Sequence, residues 1–366
     1  MLRIIKFFFT ILLSFTIIAC QKNYSDANQF QYPEKLDISF LHEINNGFRN
    51  GEGSFLNIKE NTLAYVYTCF NNGVNDASHA DICIIKSNDI ERKVWSDPEI
   101  LINNHGAENI MSVSLLRNID KSILIQYLEK NSCNDLKIMR RYSFDELETV
   151  SDIYPLNVRE GYNVVNNDRL LSYNGNIYTP ISRHSCANNI FVYPGIIELA
   201  ITNKDDNTRI VSILNDSNIT FQEPGIVKLS TSGNLLMWFR NSTNKMFISK
   251  STDSGFTFTS PYQSILSIVP YSPSSIKSFN TDLFIVYNKW TDETIKQERT
   301  PLVLAISTDN LKTIHKEYIL ENNKELEYMY TSVHKDNNNL ILAYTIQDGS
   351  EFTLKIVKIN SMFDKK

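Results

Sequence analysis

The sequence lacks an excess of basic residues, a CxxC cysteine pair and any sustained helical periodicity after residue 20. Its formal net charge of −5 argues against a nucleic-acid partner. The missing CxxC spacing argues against a zinc site, and the six histidines show no ligand spacing. No phosphate-binding loop and no Ser-His-Asp signature is present, so we expect neither a metal nor a cofactor.

Glycine is also sparse, at 12 residues, for a chain whose pattern is otherwise all-β. Short runs rich in β-branched and aromatic residues recur between Asn, Asp, Gly or Ser, which is typical of strands. Examples are residues 62–68, 123–128, 235–239, 283–287 and 340–344. No linker or shift of composition interrupts residues 36–366, which we predict to form one domain.

The first residues have the features of an export signal. Arg3 and Lys6 precede an apolar run over 7–18 that is too short to span a bilayer as a mature helix. A small residue, Ala19, then precedes Cys20, which predicts a secretory signal over 1–19. An ordinary signal peptide followed by a chance cysteine is one interpretation.

The other interpretation is that Ile17-Ile18-Ala19-Cys20 resembles a bacterial lipobox. That resemblance implies that Cys20 becomes a lipidated N-terminus and that residues 20–35 form a polar tether. The protein would then be lipid-anchored in the bacterial cell envelope, on the periplasmic face or the cell surface. Several acyl chains on one residue would hold it there stably, because one chain alone binds marginally.

Export makes disulfides possible for the four cysteines that follow Cys20. Cys69 and Cys83 lie at the ends of two predicted neighbouring strands, so their pairing is our first prediction. Cys133 with Cys186 would be the second pair. Free buried thiols are the alternative.

Residues 251–258, Ser-Thr-Asp-Ser-Gly-Phe-Thr-Phe, predict a β-hairpin turn closed by its own side chains. Asp253 can accept hydrogen bonds from the backbone amides that follow it. Gly255 offers a position where a positive φ costs little. Such a turn has a structural role, so it indicates the fold of the protein and says little about its chemistry.

The same frame, with Ser, Asp, Thr and an apolar residue at positions one, three, seven and eight, recurs at 143–150 and 307–314. Weaker copies contain Asp216, and Ser87 with Asp89. The spacing from 87 to 143 equals that from 251 to 307, which indicates a repeat architecture. Six units of this length nearly fill the chain, so we predict an all-β, six-bladed β-propeller.

This turn resembles the Asp box of sialidases and related BNR-repeat propeller proteins. Three arginines stand where that family carries a substrate clamp: one before the first strand, one ending a middle strand and one before a late box. They are Arg49, Arg240 and Arg299. Taken singly, each could equally form a structural salt bridge or a solvated strand end, because a buried charge needs a partner.

The resemblance extends to three further residues in the same order. Glu223 lies upstream of the second arginine, Tyr330 follows the third within Tyr-Thr-Ser, and Asp76 lies on a loop before the first full box. It implies a tyrosine nucleophile, a glutamate base and an aspartate acid/base in a retaining glycosidase. Asp81 is the alternative acid, and Tyr162 and Tyr328 are alternative nucleophiles.

The implied function is an exo-acting glycosidase of sialidase type that releases terminal sialic acid or a related acidic sugar from glycans. Three guanidinium groups suit the carboxylate of such a sugar. Asp168 and Arg169, in a polar stretch between boxes, are candidate ligands of the sugar hydroxyls, with a salt-bridged turn as the alternative. Sialidases usually follow the first arginine with Ile-Pro, whereas this chain has Asn50-Gly51-Glu52, which places substrate choice in doubt.

Two other functions fit the same residues. A glycan-binding propeller could keep the arginine clamp without turnover. A propeller enzyme could also act on another uronic or ulosonic acid. A structure would discriminate between these functions. If the three arginines converge with a tyrosine–glutamate pair, the glycosidase is favoured. If they surround a pocket without a tyrosine, glycan binding is favoured.

Overall fold

The computed structural model describes residues 30–363 except 60, 188–189, 214–218, 230–232 and 292–297. The predicted signal peptide, Cys20, most of the tether and the weak turn at Asp216 therefore lie outside the described residues. Within them, all regular structure is β-strand, and no helix has the length and apolarity to cross a membrane.

The first twelve strands are β1 (Ile38–Ile44), β2 (Asn50–Asn57), β3 (Leu63–Asn72), β4 (His79–Ser87), β5 (Glu99–Ile102), β6 (Asn109–Arg117), β7 (Ile123–Ser132), β8 (Asp135–Ser143), β9 (Tyr154–Pro155), β10 (Tyr162–Val164), β11 (Leu171–Tyr173) and β12 (Asn176–Ala187). The others are β13 (Ile190–Thr202), β14 (Thr208–Ile213), β15 (Phe221–Lys228), β16 (Leu235–Asn241), β17 (Lys245–Ser251), β18 (Tyr262–Ser267), β19 (Ser275–Phe279), β20 (Asp282–Asn288), β21 (Leu302–Ser307), β22 (Lys316–Glu321), β23 (Glu327–Asp336), β24 (Asn339–Asp348) and β25 (Glu351–Ile359).

Four sheets are four-stranded antiparallel blades, three of them built from consecutive strands: β2–β5, β15–β18 and β19–β22. The fourth blade has the order β23-β24-β25-β1, so the first strand pairs with the last. In that pair Ile38 lies opposite Ile359 and Ile44 opposite Leu354. The arrangement is propeller-like, and this pairing removes a free sheet edge.

The prediction of six separate blades is corrected by the remaining strands, which join in one nine-stranded sheet. Its path runs β14-β13-β12-β10-β8-β7-β6, and β11 and β9 join it by pairing with β12 and β8. The short strand β10 causes the fusion, because Tyr162 pairs in parallel with Leu136 of β8 and antiparallel with His184 of β12. The described residues thus form four separate blades and one larger sheet.

The core consists of apolar clusters that fill the spaces between neighbouring sheets. One cluster joins the β2–β5 blade to β24 and β25, and another joins β20–β21 to β23–β25. The largest fully buried side chain is Trp238 on β16, in the cluster shared by the β15–β18 and β19–β22 blades. Alternating strand residues therefore pack sideways against the next sheet.

The three full turns adopt one hydrogen-bonded structure, as predicted. In the turn after β17, the Ser251 hydroxyl donates to Asp253 Oδ1 at 2.8 Å and accepts from the Gly255 amide at 2.8 Å. The Thr257 amide and hydroxyl donate to the two Asp253 oxygens at 2.9 and 2.6 Å. The turns at 143–150 and 307–314 repeat this pattern.

A left-handed backbone is used at the same positions of all three turns. Gly255 has a φ of 86°, and the equivalent Leu147 and Leu311 have φ of 65° each. Both leucines are buried. A positive φ is less favourable for leucine than for glycine, but here each leucine side chain is packed in the core. The turn therefore does not require glycine at this position.

Both predicted disulfides form. Cys69 bonds Cys83 between β3 and β4, and Cys133 bonds Cys186 between the β7–β8 hairpin and β12. The second bridge closes a loop of 53 residues within the nine-stranded sheet.

The chain enters the fold at the end of the sheets that carries these turns, here called the box end. The Phe30 ring lies 5.1 Å from that of Phe363, and Tyr32 donates its hydroxyl hydrogen to Asp282. Tyr318 in turn donates to the carbonyl of Pro33. Phe30 and Tyr32 are both buried, so this part of the predicted tether packs on the propeller.

Candidate active site

Four first strands of the sheets each contain a β-bulge near the end opposite the box end. The register shifts fall between residues 51 and 54, 111 and 114, 222 and 225, and 329 and 332. Each bulge holds a non-glycine residue with positive φ: Glu52 (50°), Ser112 (62°), Glu223 (39°) and Tyr330 (54°). Such backbones are uncommon and cluster at functional sites.

The bulges matter because an extra residue redirects a side chain out of the regular alternation. All four side chains line one cavity of 320 Å³, with Arg49, Asp76 and Arg240 beside them. Apolar residues also line this cavity: Met111, Leu128, Leu136, Val164 and Val165. We call this opening the mouth.

Arg49 is buried at the mouth and held by two carboxylates. Its Nη1 donates to Asp76 Oδ1 at 2.6 Å, and its Nη2 donates to Glu52 Oε1. The guanidinium carbon also lies 4.6 Å from the centroid of the Phe70 ring. The stacked, doubly paired guanidinium is therefore fixed before any ligand arrives.

Glu52 is 4% exposed, and its second oxygen accepts a hydrogen bond from the Ser112 hydroxyl at 2.6 Å. Burial raises the pKa of Glu52 above its usual value, and the neighbouring Arg49 and Ser112 oppose that rise. Asp76 adds to it, because a second negative charge disfavours ionisation. Two carboxyl groups thus share one guanidinium.

Asp76 lies on the loop between β3 and β4, and its side chain is 67% exposed. Its carbonyl is fixed by Asn109 Nδ2 at 2.8 Å and Lys130 Nζ at 3.0 Å. Contact with the protein disfavours its ionised form, but the charge and hydrogen bond of Arg49 outweigh this and lower the pKa of Asp76. Solvent screening limits the size of that effect.

Glu223 and Arg240 form the second ion pair of the mouth. Arg240 Nη1 donates to Glu223 Oε1, and Asn166 Nδ2 donates to Oε2 at 2.9 Å. The side chains of both charged residues are about 15% exposed or less. Both oxygens of Glu223 therefore have a fixed direction.

Tyr330 lies between the arginines. The Arg49 and Arg299 guanidinium carbons are 5.7 and 5.8 Å from its ring centroid, and Arg240 lines the same cavity as Tyr330. Burial and the charges of Glu223 and Glu52 raise the pKa of Tyr330, against the opposing Arg299 and Arg49. The free protein therefore holds a neutral phenol here.

Arg299 reaches this group from the segment before β21. Its Nη1 donates to the Met329 sulfur at 2.8 Å, and its carbonyl accepts from the amide of Tyr328 at 3.0 Å. Of the six residues that the sequence assigned to clamp and chemistry, Arg49, Asp76, Glu223, Arg240 and Tyr330 line the cavity, and Arg299 lies beside Tyr330 but outside that lining.

Asp168 and Arg169 are placed differently from our expectation. Both are buried outside the cavity lining. Asp168 accepts hydrogen bonds from Ser54 at 2.9 Å and Lys277 at 2.8 Å, and burial lowers the pKa of Arg169 to about 10. Their polarity reflects contacts between the central strands, and the same loop reaches the mouth through Asn166 instead.

Arg169 donates to the Ser274 carbonyl at 2.5 Å and stacks 5.0 Å from the Trp238 ring. Of the alternative residues, Tyr162 lines the cavity, whereas Tyr328 is buried in the core. Asp81 is buried and accepts from the Asn104 amide at 2.7 Å. Tyr162 is therefore the alternative nucleophile that the geometry keeps in reach.

Ser112, Asn166 and His184 also line the mouth, although the sequence analysis assigned no role to any of them. His184 is buried on β12, where a Cβ on Gly195 would lie 2.2 Å from its ring. No pattern in the sequence distinguishes Ser112 or His184 from ordinary strand residues, whereas Asn166 lies in the loop that also contains Asp168 and Arg169. Among the described residues, no cluster of His, Cys, Asp and Glu could hold a metal ion.

Comparison with solved structures supports the sialidase-like fold. A protein of unknown function from Dyadobacter fermentans aligns with a TM-score of 0.68 at 14% identity, over 88% of this chain and 99% of that one. The NanB sialidase of Streptococcus pneumoniae aligns with a TM-score of 0.67 at 11% identity, over 88% and 70%.

A Trypanosoma rangeli sialidase in complex with 2,3-difluorosialic acid, a covalent intermediate, aligns with a TM-score of 0.68 at 14% identity. The alignment covers 86% of this chain and 54% of that one, so this protein spans about half its length. These identities show the fold alone. No match was found among curated proteins.

The resemblance to sialidases and Asp-box propellers that the sequence indicated is thus confirmed. The family model described as "BNR repeat-like domain" matches residues 67–342. Because that match covers most of the chain, the protein belongs to the BNR repeat-like domain family.

Proposed function

We propose that the protein is an exo-acting retaining glycoside hydrolase of sialidase type. It releases a terminal sialic acid, or a related acidic sugar, from glycoconjugates. The supporting observation is the convergence of Arg49, Arg240 and Arg299 around Tyr330, with Glu223 in the same cavity. A carboxylate bound by these guanidinium groups would lie beside the phenol.

The carboxylate of the sugar would compete with the carboxylates of Asp76 and Glu52 for Arg49. Arg49 is bonded to Asp76 in the free protein, at 2.6 Å. When the substrate carboxylate takes up Arg49, Asp76 loses its cationic partner and its pKa rises. Ligand binding itself would then prepare Asp76 to carry the proton that it delivers.

Glycosidic bond cleavage proceeds by two displacements. The Tyr330 oxygen bonds to the anomeric carbon while its proton passes to Glu223, which compensates for the high pKa of the phenol. The bond to the leaving oxygen breaks, and Asp76 protonates that oxygen. Water, deprotonated by Asp76, then displaces Tyr330, which recovers its proton from Glu223, so the configuration is retained.

A neutral phenol suits this centre electrostatically. The anomeric carbon of a sialic acid carries a carboxylate, which would repel an approaching carboxylate nucleophile. Glu52 and Asp76 already add negative charge to the mouth. The phenol of Tyr330 is neutral as it approaches and loses its proton only as the new bond forms, so it avoids that repulsion.

The direct test is to trap the glycosyl-enzyme. We would incubate the protein with 2,3-difluorosialic acid, the compound in the Trypanosoma rangeli complex, and locate the adduct by peptide mass spectrometry. An adduct on Tyr330 is expected, together with release of fluorophore from a fluorogenic sialoside. An adduct on Tyr162, or turnover without an adduct, would assign the nucleophile elsewhere.

A glycan-binding propeller without turnover is the second candidate, and one observation favours it. Both terminal guanidinium nitrogens of Arg49, Nη1 and Nη2, are bonded to carboxylates, so the clamp is less cationic than three arginines suggest. Under this reading the wild type binds acidic glycans but hydrolyses none. Measured binding without hydrolysis across a panel of acidic glycosides would establish it.

The buried Glu52 also supports a third candidate, an enzyme for a different uronic or ulosonic acid. Its carboxyl group stands at the mouth with a raised pKa and could meet a hydroxyl that other substrates lack. A panel of fluorogenic uronides and ulosonides, run beside the sialoside, separates these substrates.

We also propose that the nine-stranded sheet is two blades joined through β10, which would complete a six-bladed ring.

Cys20 would carry a lipid anchor in the bacterial cell envelope, and sialylated or other acidic glycans would be the partners. Metabolic labelling with a radioactive fatty acid tests the anchor, because a Cys20→Ala variant would lose the label.

A further inference from the structure

Large apolar side chains are exposed in turns at the box end. They are Ile90, Val94, Ile119, Phe144 and Phe256, with exposures of 75%, 65%, 84%, 78% and 53%. Each lies in a connection that follows a strand running away from the mouth: β4, β6, β8 or β17. The described turns at the mouth end contain none of the large apolar residues exposed on this protein.

The chain also enters at this end. Phe30 packs against Phe363, and Lys335 Nζ lies 4.9 Å from the Phe30 ring. The 29 residues before Phe30 lie outside the described part and include the apolar run 7–18 and Cys20. The point at which the chain leaves the fold is therefore on the same face as the exposed apolar groups.

We infer that the box end of the propeller rests on a lipid bilayer, with Ile119, Phe144 and Phe256 inserted at the headgroup boundary and the mouth directed away. The inference rests on the proposed lipid at Cys20 and is independent of the chemistry at Tyr330. Exposed apolar patches on soluble proteins mark interaction surfaces. Here the position of the chain entry selects the bilayer as the occupant.

The tether is long enough that it cannot orient the propeller by itself, so the exposed apolar side chains would determine which face meets the bilayer. Residues 21–29 can extend at most about 30 Å, at roughly 3.3 to 3.6 Å per residue. A strand such as β8 spans nine residues, so mouth and box end are also about 30 Å apart. The tether alone would therefore let the propeller tumble, and the apolar turns would fix one face.

The same turns also carry exposed charged groups of both signs. Exposed lysines lie at 93, 121 and 312. Of the nearby carboxylates, Glu148 pairs with Lys59 at 2.9 Å and Glu146 with Arg117 at 2.6 Å, whereas Asp145 and Asp253 accept hydrogen bonds from neutral groups of their own turns. Charges of both signs are thus present, so insertion of the apolar side chains and the lipid anchor, rather than net charge, would hold this face on the bilayer.

The test uses the full chain, lipidated in a bacterial host and reconstituted into vesicles of phosphatidylethanolamine and phosphatidylglycerol. Single cysteines introduced as Ile119→Cys, Phe144→Cys or Ala77→Cys would carry a nitroxide label, since the native cysteines form disulfides or hold the lipid. Ala77 is exposed beside the mouth and is the matched control. Relaxation by oxygen and by a water-soluble nickel chelate reports the depth of each label.

We expect the labels at 119 and 144 to be shielded from nickel and open to oxygen, and the label at 77 to show the reverse. Replacing Phe144 and Phe256 by serine should return the label at 119 toward water. Equal nickel access at 119, 144 and 77 would overturn the inference, even if the protein remains with the vesicles. Failure to remain with the vesicles would overturn the anchor on which it rests, whereas activity on sialosides would be unaffected. Shielding without vesicles would instead indicate self-association and also overturn it.

Discussion

Arg49, which immediately precedes β2, forms an ion pair inside the mouth with Glu52 on that strand, three residues later. The bulge at Glu52 turns this carboxylate toward the arginine that precedes it. The pair keeps the first arginine of the clamp partly neutralised and its geometry fixed. Substrate affinity should therefore depend on how readily a carboxylate ligand competes with Glu52.

Glu52→Gln should strengthen binding of acidic ligands. The amide keeps the shape and a hydrogen bond to Ser112 but removes one negative charge beside Arg49. We expect KM for the best acidic glycoside to fall up to about tenfold, equivalent to about 1.4 kcal/mol. Initial-rate kinetics with an acidic and a neutral glycoside would measure this.

The neutral glycoside is the control, since its KM should not change. An unchanged or raised KM for the acidic substrate in Glu52→Gln would mean that Glu52 does not compete for Arg49.

Tyr330→Phe should lower kcat by several orders of magnitude while leaving KM and the melting temperature nearly unchanged. Only the hydroxyl is removed, and the ring stays between Arg49 and Arg299. Tyr162→Phe is the matched control in the same cavity. Full activity of the Tyr330 variant would exclude the phenol as nucleophile.

The box turns should make stability depend on acid pH. Hydrogen bonds from Thr257 and Ser251 hold the pKa of Asp253 at about 2, and Asp145 and Asp309 are similar. A carboxyl with a lowered folded-state pKa stabilises fully above its unfolded value of about 3.9. That contribution is lost as the pH falls from about 4 to about 2.

We therefore expect Asp253→Ala to lower the melting temperature at pH 7, and the difference from wild type to shrink as the pH approaches 2. The exposed Asp205 in the β13–β14 hairpin provides the control substitution. Thermal denaturation across this pH range measures both. A difference that stays constant with pH would show that the turn does not depend on the charge of Asp253.

Loss of either disulfide should destabilise the fold, and the longer loop should matter more. Chain-entropy arguments give about 3 kcal/mol for the 14-residue separation of Cys69 and Cys83, and about 4 kcal/mol for the 53 residues between Cys133 and Cys186. Urea unfolding of the two paired-serine variants tests the order. The reverse order would indicate strain or residual structure in the unfolded chain.

The sequence predicted structure correctly where the side chains of a short segment determine its conformation by themselves. The box turns were predicted because their Ser, Asp and Thr side chains close the turn themselves, as at Asp253. The fusion at β10 was not predicted, because its three residues pair with two strands only after the nine-stranded sheet assembles. Tertiary pairing decides such short strands.

The site divides in the same way. The order of the arginines along the chain predicted their convergence at Tyr330. The bulges at Glu52 and Ser112 were not predictable, since a bulge is defined by the partner strand and neither residue favours a positive φ. For Asp168 the sequence showed a polar residue, but only the structure shows that Ser54 and Lys277 already satisfy it.

The pairing of β1 with β25 has a consequence for biosynthesis. Strand β1 has no partner until Glu351–Ile359 has been made, more than three hundred residues later. The final blade must therefore be a late event in folding, because contacts of such long sequence separation form slowly. Until then the bare edge of β1 is open to other nascent chains, which makes prematurely ended copies of this protein prone to aggregate.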